Sequence, residues 1–535
     1  MEQLLWGSPD ALRELLIEIV GWDSLSLSEG EKKFPKRLKE KLQELQYFKE
    51  NPAFLELHPV DQERSFLTAL YKHPKCSETI VLLSHFDTVS IEEYGDLKSY
   101  AYQPRMLTKF FLERKTEFKE EVQRDLESGD YLFGRGTMDM KMGIAMHMSL
   151  LEKASREEWP LNLLMVTVPD EEVNSEGMRA AVSKLLELKD AHQLSLKLFL
   201  NGEPVFTKDE KDHNYYIYTG SMGKIMPSAL FYGRETHVGE PLRGMTANYI
   251  ASFLTQRMEW NKTFQETVRG ETTPLPVTLQ QKDLKKEYSV QTPYRAAALY
   301  NVCLLERTAA EMMDLFEKVA QEAASACNEA YGRICKEEQV QPIGKVQVYR
   351  YEQLLQYAVD KFGDAFIKSL KAEIHAKVND DDREKALQLT DALMIQCQEL
   401  APAIVLYYSP PFYPSVNSSE HELIKKCVDY IKEQGVKKFN LPVEQIHYFN
   451  GICDLSYVNY QGNEKGWKTF VANTPVWGDS YTIPFTAMSQ LQAPVLNIGP
   501  FGSDAHKRTE RLHIQSAFVE VPALVEGMLK SFFVN

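Results

Sequence analysis

Three strand-length runs constrain this chain more than anything else in it: Thr79–Leu83 (TIVLL), Leu161–Val168 (LNLLMVTV) and Leu196–Pro204 (LKLFLNGEP). The first two are separated by a glycine-rich turn feeding a helix that is apolar on most sides, LFGRGTMDMKMGIAMHMSLLEKA. A second helix, near Met178 to Leu188, precedes the third run. Strand, turn, helix and strand in this order spell βαβ units, whose strands are buried on both faces of a largely parallel sheet. Ligands of such sheets bind at the C-terminal ends of the strands.

At roughly 100 to 200 residues per domain, 535 residues allow two to four domains. Residues 9 to 22 and 34 to 49 carry helical apolar spacing, with Ser8 and Asp10 as caps for the first helix, and Lys109 to Glu127 reads as an exposed inserted helix. After about residue 212 the style changes. Tyr215–Thr219 and Ile225–Gly233 read as paired strands, Thr246–Met258 as a helix, Arg295–Leu305 as a strand and Ala309–Ala330 as a long helix. A charged helical stretch from about Leu354 to Leu400 and the strand Ala403–Ser409 lead to a proline-marked break, PPFYPS. The α/β style then resumes, with a helix near Glu420 to Gln434, the strand Pro494–Gly499 and a helix near Val521 to Phe533. The expected fold class is therefore α/β, a largely parallel mixed sheet flanked by helices. It is formed by residues 1–211 and 413–535 and interrupted by an enlarged α+β domain over 212–412.

Composition narrows the function. A formal net charge of −15 argues against nonspecific nucleic-acid binding, which needs a basic face. No apolar run approaches the roughly 18 residues of a membrane span. The N-terminus threads acids through its apolar positions and has no basic region, so it reads as a surface helix. Seven scattered cysteines without a CxxC pair fit reduced thiols, and cytoplasmic residence is the expectation.

The polar residues lie where the runs end. VLLSHFDTV closes the first strand with His85 and Asp87, which share a face if the extended chain persists to Asp87. Alone, this pair reads equally as a histidine capped by its neighbour or as a ligand with its orienting carboxylate. Other ends carry acids too: Asp139 after the turn Gly134–Gly136, then Asp170, Glu171 and Glu172, then Glu203. Carboxylates gathered around one crevice are costly to bury without a cation, and the nitrogen and carboxylate mix suits zinc or a similar divalent ion.

The succession SHFDTV, GRGTMDMK, PDEEVNSEG, NGEP and SDAHKRTE resembles the cocatalytic-zinc metallopeptidases, a family that includes glutamate carboxypeptidase, acetylornithine deacetylase, succinyl-diaminopimelate desuccinylase and the aminoacylases. The resemblance spans nearly the whole chain in order, and the long insertions look most similar to the RocB-type arginine-utilisation proteins. It implies two divalent metal ions, zinc by preference with cobalt or manganese as alternatives. The implied ligands are His85, Asp139 (bridging), Glu172, Glu203 and His506, with Asp87 fixing the His85 tautomer. Glu171 then matches the general base that takes a proton from bridging water and hands it to the leaving amine. His237, in GRETHVGEPLRG, matches a lid histidine that stabilises the oxyanion, although Gly239 and Thr246 depart from the family pattern around it. Residues 212–412 become a lid or dimerisation-like domain, whose surplus between Val340 and Leu400 reads as a cover over the site, as a mimic of a second subunit in a monomer, or as an oligomer contact, so that a homodimer is one of the implied arrangements.

Several residues keep two readings. Asp454, in GICD, stands where the family has a glycine-glycine-threonine-aspartate turn, and reads as a substrate contact or an Asx turn. Arg307 falls near a lid arginine that binds a substrate carboxylate, and reads equally as a solvated residue before a helix. Lys507, Arg508 and Arg511 read as anion contacts or as solvated charges. His147 and the remaining histidines read as packing. The expected activity is hydrolysis of an amide or peptide bond in a small N-acyl amino acid or short peptide, with a link to arginine catabolism. The rival is a noncatalytic binding or regulatory protein on the same scaffold, against which an acid that matches a general base, Glu171, argues.

Overall fold

In the computed structural model, which describes residues 4–206, 212, 214–377 and 381–534, the strand Glu78–His85 lies between Asn162–Val168 and Ser195–Asn201 and runs parallel to both. Every residue of Asn162–Val168 is buried, which explains a run without polar alternation. Among the described residues this sheet has eight strands, in the order Leu55–Pro59, Ser65–Tyr71, Asn162–Val168, Glu78–His85, Ser195–Asn201, Val495–Asn497, Tyr215–Tyr218 and Val443–Ile446. The edge pairings of Ser65–Tyr71 and the single pairing of Asn497 with Tyr218 are antiparallel, so the sheet is mixed. Helices Met142–Arg156, Glu176–Ala191, Glu422–Phe439 and Val521–Phe533 flank it.

The chain forms two units. The first comprises Met1–Ser221, Val416–Tyr460 and Pro484–Asn535, and the second Met222–Ser415 and Gln461–Ile483. Two elements expected elsewhere are thereby reassigned. Tyr215–Tyr218 looked like the hairpin partner of the next strand, yet it pairs in parallel with Val443–Ile446 in the first unit, and the Tyr215 hydroxyl donates to the Gly499 carbonyl (2.7 Å). Residues 461–483, expected within the resumed α/β part, belong to the second unit, where the helix Glu464–Ala472 packs on Ala309–Glu337. The expected helix over Lys109 to Glu127 is two helices, Pro104–Glu113 and Glu120–Ser128, over a small core that includes Leu107, Phe111, Val122 and Leu126.

At the crossing between units, Gly220–Ser221 pairs antiparallel with Val416–Asn417. A side chain at Gly220 would meet the Val416 carbonyl oxygen at 2.3 Å, so only glycine allows this approach.

The second unit is built on a five-stranded sheet in the order Val277–Asp283, Arg295–Leu304, Gly223–Tyr232, Ala403–Tyr413 and Gln347–Arg350. Helix Ala309–Glu337 opens with a capping box at Thr308 and Glu311. The charged stretch beyond it folds as helices Tyr351–Phe362, Asp364–Lys377 and Asp382–Gln396.

In the first unit, helix Glu29–Leu42 begins earlier than its apolar spacing suggests, because the Ser28 hydroxyl accepts from Gly30 N and Glu31 N ahead of Pro35. Among the described residues no helix is long and apolar enough to cross a membrane, and the described cysteines are free thiols.

Candidate metal centre

Strand ends supply most of the site. His85 is the last residue of its strand, Glu171 and Glu172 follow Asn162–Val168 in a turn, and Glu203 follows Ser195–Asn201. Asp139 comes from the turn Thr137–Lys141 that feeds helix Met142–Arg156, and its peptide bond to Met140 is cis. His506 stands in the loop between Gly502–Ser503 and Arg511–His513, at φ 64°.

These residues form two donor groups that share one carboxylate. His85, Asp139 and Glu203 make the first, and Asp139, Glu172 and His506 the second, with the donor atoms of each within 4.8 Å of one another. One Asp139 oxygen lies 3.3 Å from His85 Nε2, the other 3.0 Å from His506 Nε2. Glu203 Oε1 is 3.5 Å from His85 Nε2, and Glu172 Oε2 is 3.1 Å from His506 Nε2. Glu171 belongs to neither group, although its Oε2 comes within 3.9 Å of His85 Nε2.

The electrostatics are those of acids confined together. Burial pushes the Glu171 and Glu203 carboxyls well above their usual range, and Asp454 adds to both shifts. Glu172 is raised by burial and by Asp139. Burial opposes the charge on His85, but Glu203, Asp139 and Asp87 outweigh it and raise the imidazole well above its usual value. His506 is pushed up to about 11 by Asp139 and Glu172. Such a set holds protons unless positive charge is supplied, and its imidazole and carboxylate donors fit divalent cations, with Asp139 facing both positions.

Asp87 is the hub beneath. Its Oδ1 lies 3.3 Å from His85 Nδ1 and accepts from Glu171 N (3.1 Å), while its Oδ2 accepts from Glu172 N (3.3 Å) and the Ser26 hydroxyl (2.8 Å). His85 Nδ1 is also 3.1 Å from the Asp87 carbonyl oxygen. Asp454 is buried, and its carboxyl is pushed up to about 7, mainly by burial, against the pull of His85 and the Ser175 hydroxyl.

The other candidates have different surroundings. His237, in the second unit, is exposed, and its Nδ1 accepts from Gly239 N (3.0 Å). Arg307, in the same unit, donates its guanidinium to the carbonyls of Phe264 (3.0 Å) and Thr263 (3.4 Å). Arg511 is fully buried on Glu121, Asp125 and Asp504. Lys507 pairs with Asp504, and Arg508 lies over the rings of Phe111 and Phe118. Among the described residues the donor groups include none of the remaining histidines, and His213 lies outside those residues.

Three buried charges that no motif marks brace the centre. Glu510, fully buried, accepts from Arg135 Nη1 (2.6 Å) and Met138 N (3.3 Å), tying the His506 segment to the Asp139 turn. Lys141 donates to the Trp22 carbonyl (2.7 Å) beneath the rings of Phe34 and Tyr102, and burial pushes it down to about 7. Glu31, also buried, accepts from Asp170 N (3.0 Å). Glu31 and Glu510 sit in polar runs that look solvated, whereas Lys141 is a lone lysine in the apolar stretch after the glycine turn Gly134–Gly136.

An α/β unit with an interrupting second unit and a shared-carboxylate site at its strand ends defines a metallohydrolase scaffold. The chain belongs to the peptidase family M20/M25/M40, whose sequence model matches residues 81–466, and is a hydrolase. It is 41% identical to the uncharacterized protein YqjN of Bacillus subtilis (strain 168) over 531 residues, covering 97% of this chain and 96% of that one. It is 31% identical to Protein RocB of the same organism, over 97% and 94% of the two chains. In fold it is similar to the M20 family metallo-carboxypeptidase Sso-CP2 of Sulfolobus solfataricus, with a TM-score of 0.55 at 12% identity and coverage of 97% and 98%.

Proposed function

We propose that this protein hydrolyses an amide or peptide bond in a small N-acyl amino acid or short peptide, using two divalent metal ions, zinc by preference. The observation that carries the reading is the pair of donor groups sharing Asp139, with Glu171 beside them and outside both. His85, Asp139 and Glu203 would hold one ion, and Asp139, Glu172 and His506 the other. Bound there, the cations supply Lewis acidity toward the scissile carbonyl and bring water to a reactive state near neutral pH. Glu171, raised by burial, takes the proton of the attacking water and returns it to the leaving amine nitrogen. Asp87 holds His85 in the tautomer that presents Nε2 to the donor group, and anchors the backbone of Glu171 and Glu172.

The same reading gives His237 the oxyanion and Asp454 a place near the reacting groups. The link to arginine catabolism puts acyl-arginines and arginyl dipeptides at the head of the substrate panel. Cytoplasmic residence is part of the proposal, supported by the free thiols. So is a homodimer through the second unit, supported by its edge strand Val277–Asp283, on which Val277 and Leu279 stand exposed.

The test is protein reconstituted with zinc, cobalt or manganese and screened against acyl amino acids and dipeptides, beside Glu171→Gln. Turnover in the wild type, and its loss in a variant that still binds two equivalents of metal, is expected. Stoichiometric ligand binding without turnover across the panel refutes the proposal.

A further inference from the structure

The N-terminal segment between helices Pro9–Val20 and Glu29–Leu42 passes directly beneath the candidate metal centre. Leu25 bridges to Thr88, the Ser24 hydroxyl donates to the Phe86 carbonyl (2.6 Å), Thr88 N donates to the Ser24 carbonyl (3.0 Å), and Ser26 N donates to the Thr88 carbonyl (3.0 Å). These bonds lock residues 24–26 alongside 86–88. The Ser26 hydroxyl has one proton and two acceptors in reach, Asp87 Oδ2 at 2.8 Å and the Thr88 carbonyl at 3.2 Å. The shorter, charge-assisted bond to the carboxylate is the stronger. One turn on, Glu31 accepts from Leu27 N (2.8 Å) and from Asp170 N (3.0 Å), so the same segment also grips the turn that carries Glu171 and Glu172.

From this geometry we infer that Ser26 is a positioning residue for the hydrolytic site, acting through Asp87. The inference rests on the roles given above to Asp87, Glu171 and Glu172. Among the described residues the Asp87 carboxylate has four polar neighbours: the His85 imidazole (Nδ1 at 3.3 Å) and Glu171 N on one oxygen, Glu172 N and Ser26 Oγ on the other, the last three as hydrogen bonds. Three of them belong to the residues whose side chains form the site. The fourth, Ser26, comes from a segment that contributes nothing else to the donor groups, and it sets the rotation of the carboxylate about which the other three are arranged. Without the hydroxyl, Oδ2 keeps only the longer bond from Glu172 N, and the carboxylate can turn. His85 and the peptide that directs Glu171 and Glu172 to separate tasks then lose their common reference.

The experiment compares Ser26→Ala and Ser26→Thr with the wild type in full-length protein, reading zinc affinity with a competing chromophoric chelator, then kcat and KM on the best substrate. Supporting groups of this kind typically change metal affinity or activity by 10- to 100-fold. Ser26→Ala is expected to weaken zinc binding at least about tenfold and to lower kcat by a similar factor, with KM within about twofold. Ser26→Thr, which keeps the hydroxyl, should restore both to within about threefold of the wild type. Zinc affinity unchanged in the alanine variant overturns the inference, as does a variant that melts at lower temperature while affinity and kcat stay at wild-type values. The affinity readout needs no turnover. A wild type that binds zinc and hydrolyses nothing therefore defeats the functional reading while leaving the role of Ser26 to be decided by the affinity shift.

Discussion

Replacing Glu510 by alanine should unlock the candidate metal centre from a residue that touches no metal-donor atom. Glu510 is fully buried and bonds Arg135 Nη1 at 2.6 Å and Met138 N at 3.3 Å, one residue before Asp139. Truncation leaves the Met138 amide without its acceptor, a loss of about 1–3 kcal/mol for a buried group. It also strips Arg135 of its closest buried partner, and breaking a buried pair costs about 3–5 kcal/mol when nothing else compensates. Here Arg135 keeps the Glu93 carboxylate and the Ser90 carbonyl (3.1 Å), so the lower end applies and the total is about 4 kcal/mol. At about 2 °C per kcal/mol for a large unit, the metal-free variant should melt roughly 8 °C below the wild type in scanning calorimetry. Zinc affinity should fall about 10- to 100-fold, because the Asp139 turn loses its anchor to the His506 segment. Glutamine, which keeps one acceptor, should fall between. An alanine variant melting within about 2 °C of the wild type, with unchanged zinc affinity, shows that Glu510 does not anchor the Asp139 turn.

Metal binding should release protons: His506 is held up to about 11 in the metal-free protein, and a ligating imidazole must be neutral. Affinity should therefore rise from pH 6 to 8, and calorimetry in buffers of different ionisation enthalpy that shows no proton release counts against His506 as a ligand. Chelation should lower the melting temperature, since an ion at a hundred times its dissociation constant adds about 2.7 kcal/mol; an identical melt with and without chelator excludes metal at a folded site. Arg307→Ala should leave KM within about twofold and destabilise by about 1–2 kcal/mol, since its guanidinium ties down two carbonyls. A large KM increase instead makes it a substrate contact. If Val277–Asp283 is a dimer seam, Leu279→Lys should shift a sedimenting dimer to monomer; a wild type that sediments as a monomer rules the seam out.

What could be read in the sequence was what strand ends announce. His85, Glu172 and Glu203 each terminate or follow an apolar run, so their type and place stood out against a core that had no use for them. Asp139 and His506 were legible through their resemblance to family motifs, and the structure brings their donor atoms into the same groups. Ser26, Glu31 and Glu510 were not legible, because SLSLSEGE and HKRTER read as solvent-facing turns and only the folded chain shows the carboxylates and amides they meet. The pairing of Tyr215–Tyr218 is equally hidden from the local pattern. A short glycine-containing link suggests a hairpin, whereas the partner strand, Val443–Ile446, lies more than two hundred residues away. Residues 461–483 carry no local mark of the sheet they serve.

The ladder between Gly220–Ser221 and Val416–Asn417 has a consequence for how such a chain can grow. It places Ser221 opposite Val416, so residues 222–415 leave and rejoin the first unit at adjacent points. For a flexible segment, loop closure grows only with the logarithm of length, about 0.6 kcal/mol for each doubling. Helices such as Tyr351–Phe362, Asp364–Lys377 and Asp382–Gln396 can therefore be gained or lost inside that stretch at little entropic cost to the sheet that holds the acids. The stretch 222–415 can thus be lengthened or shortened between paired ends, while the strand ends that carry the acids stay where they are.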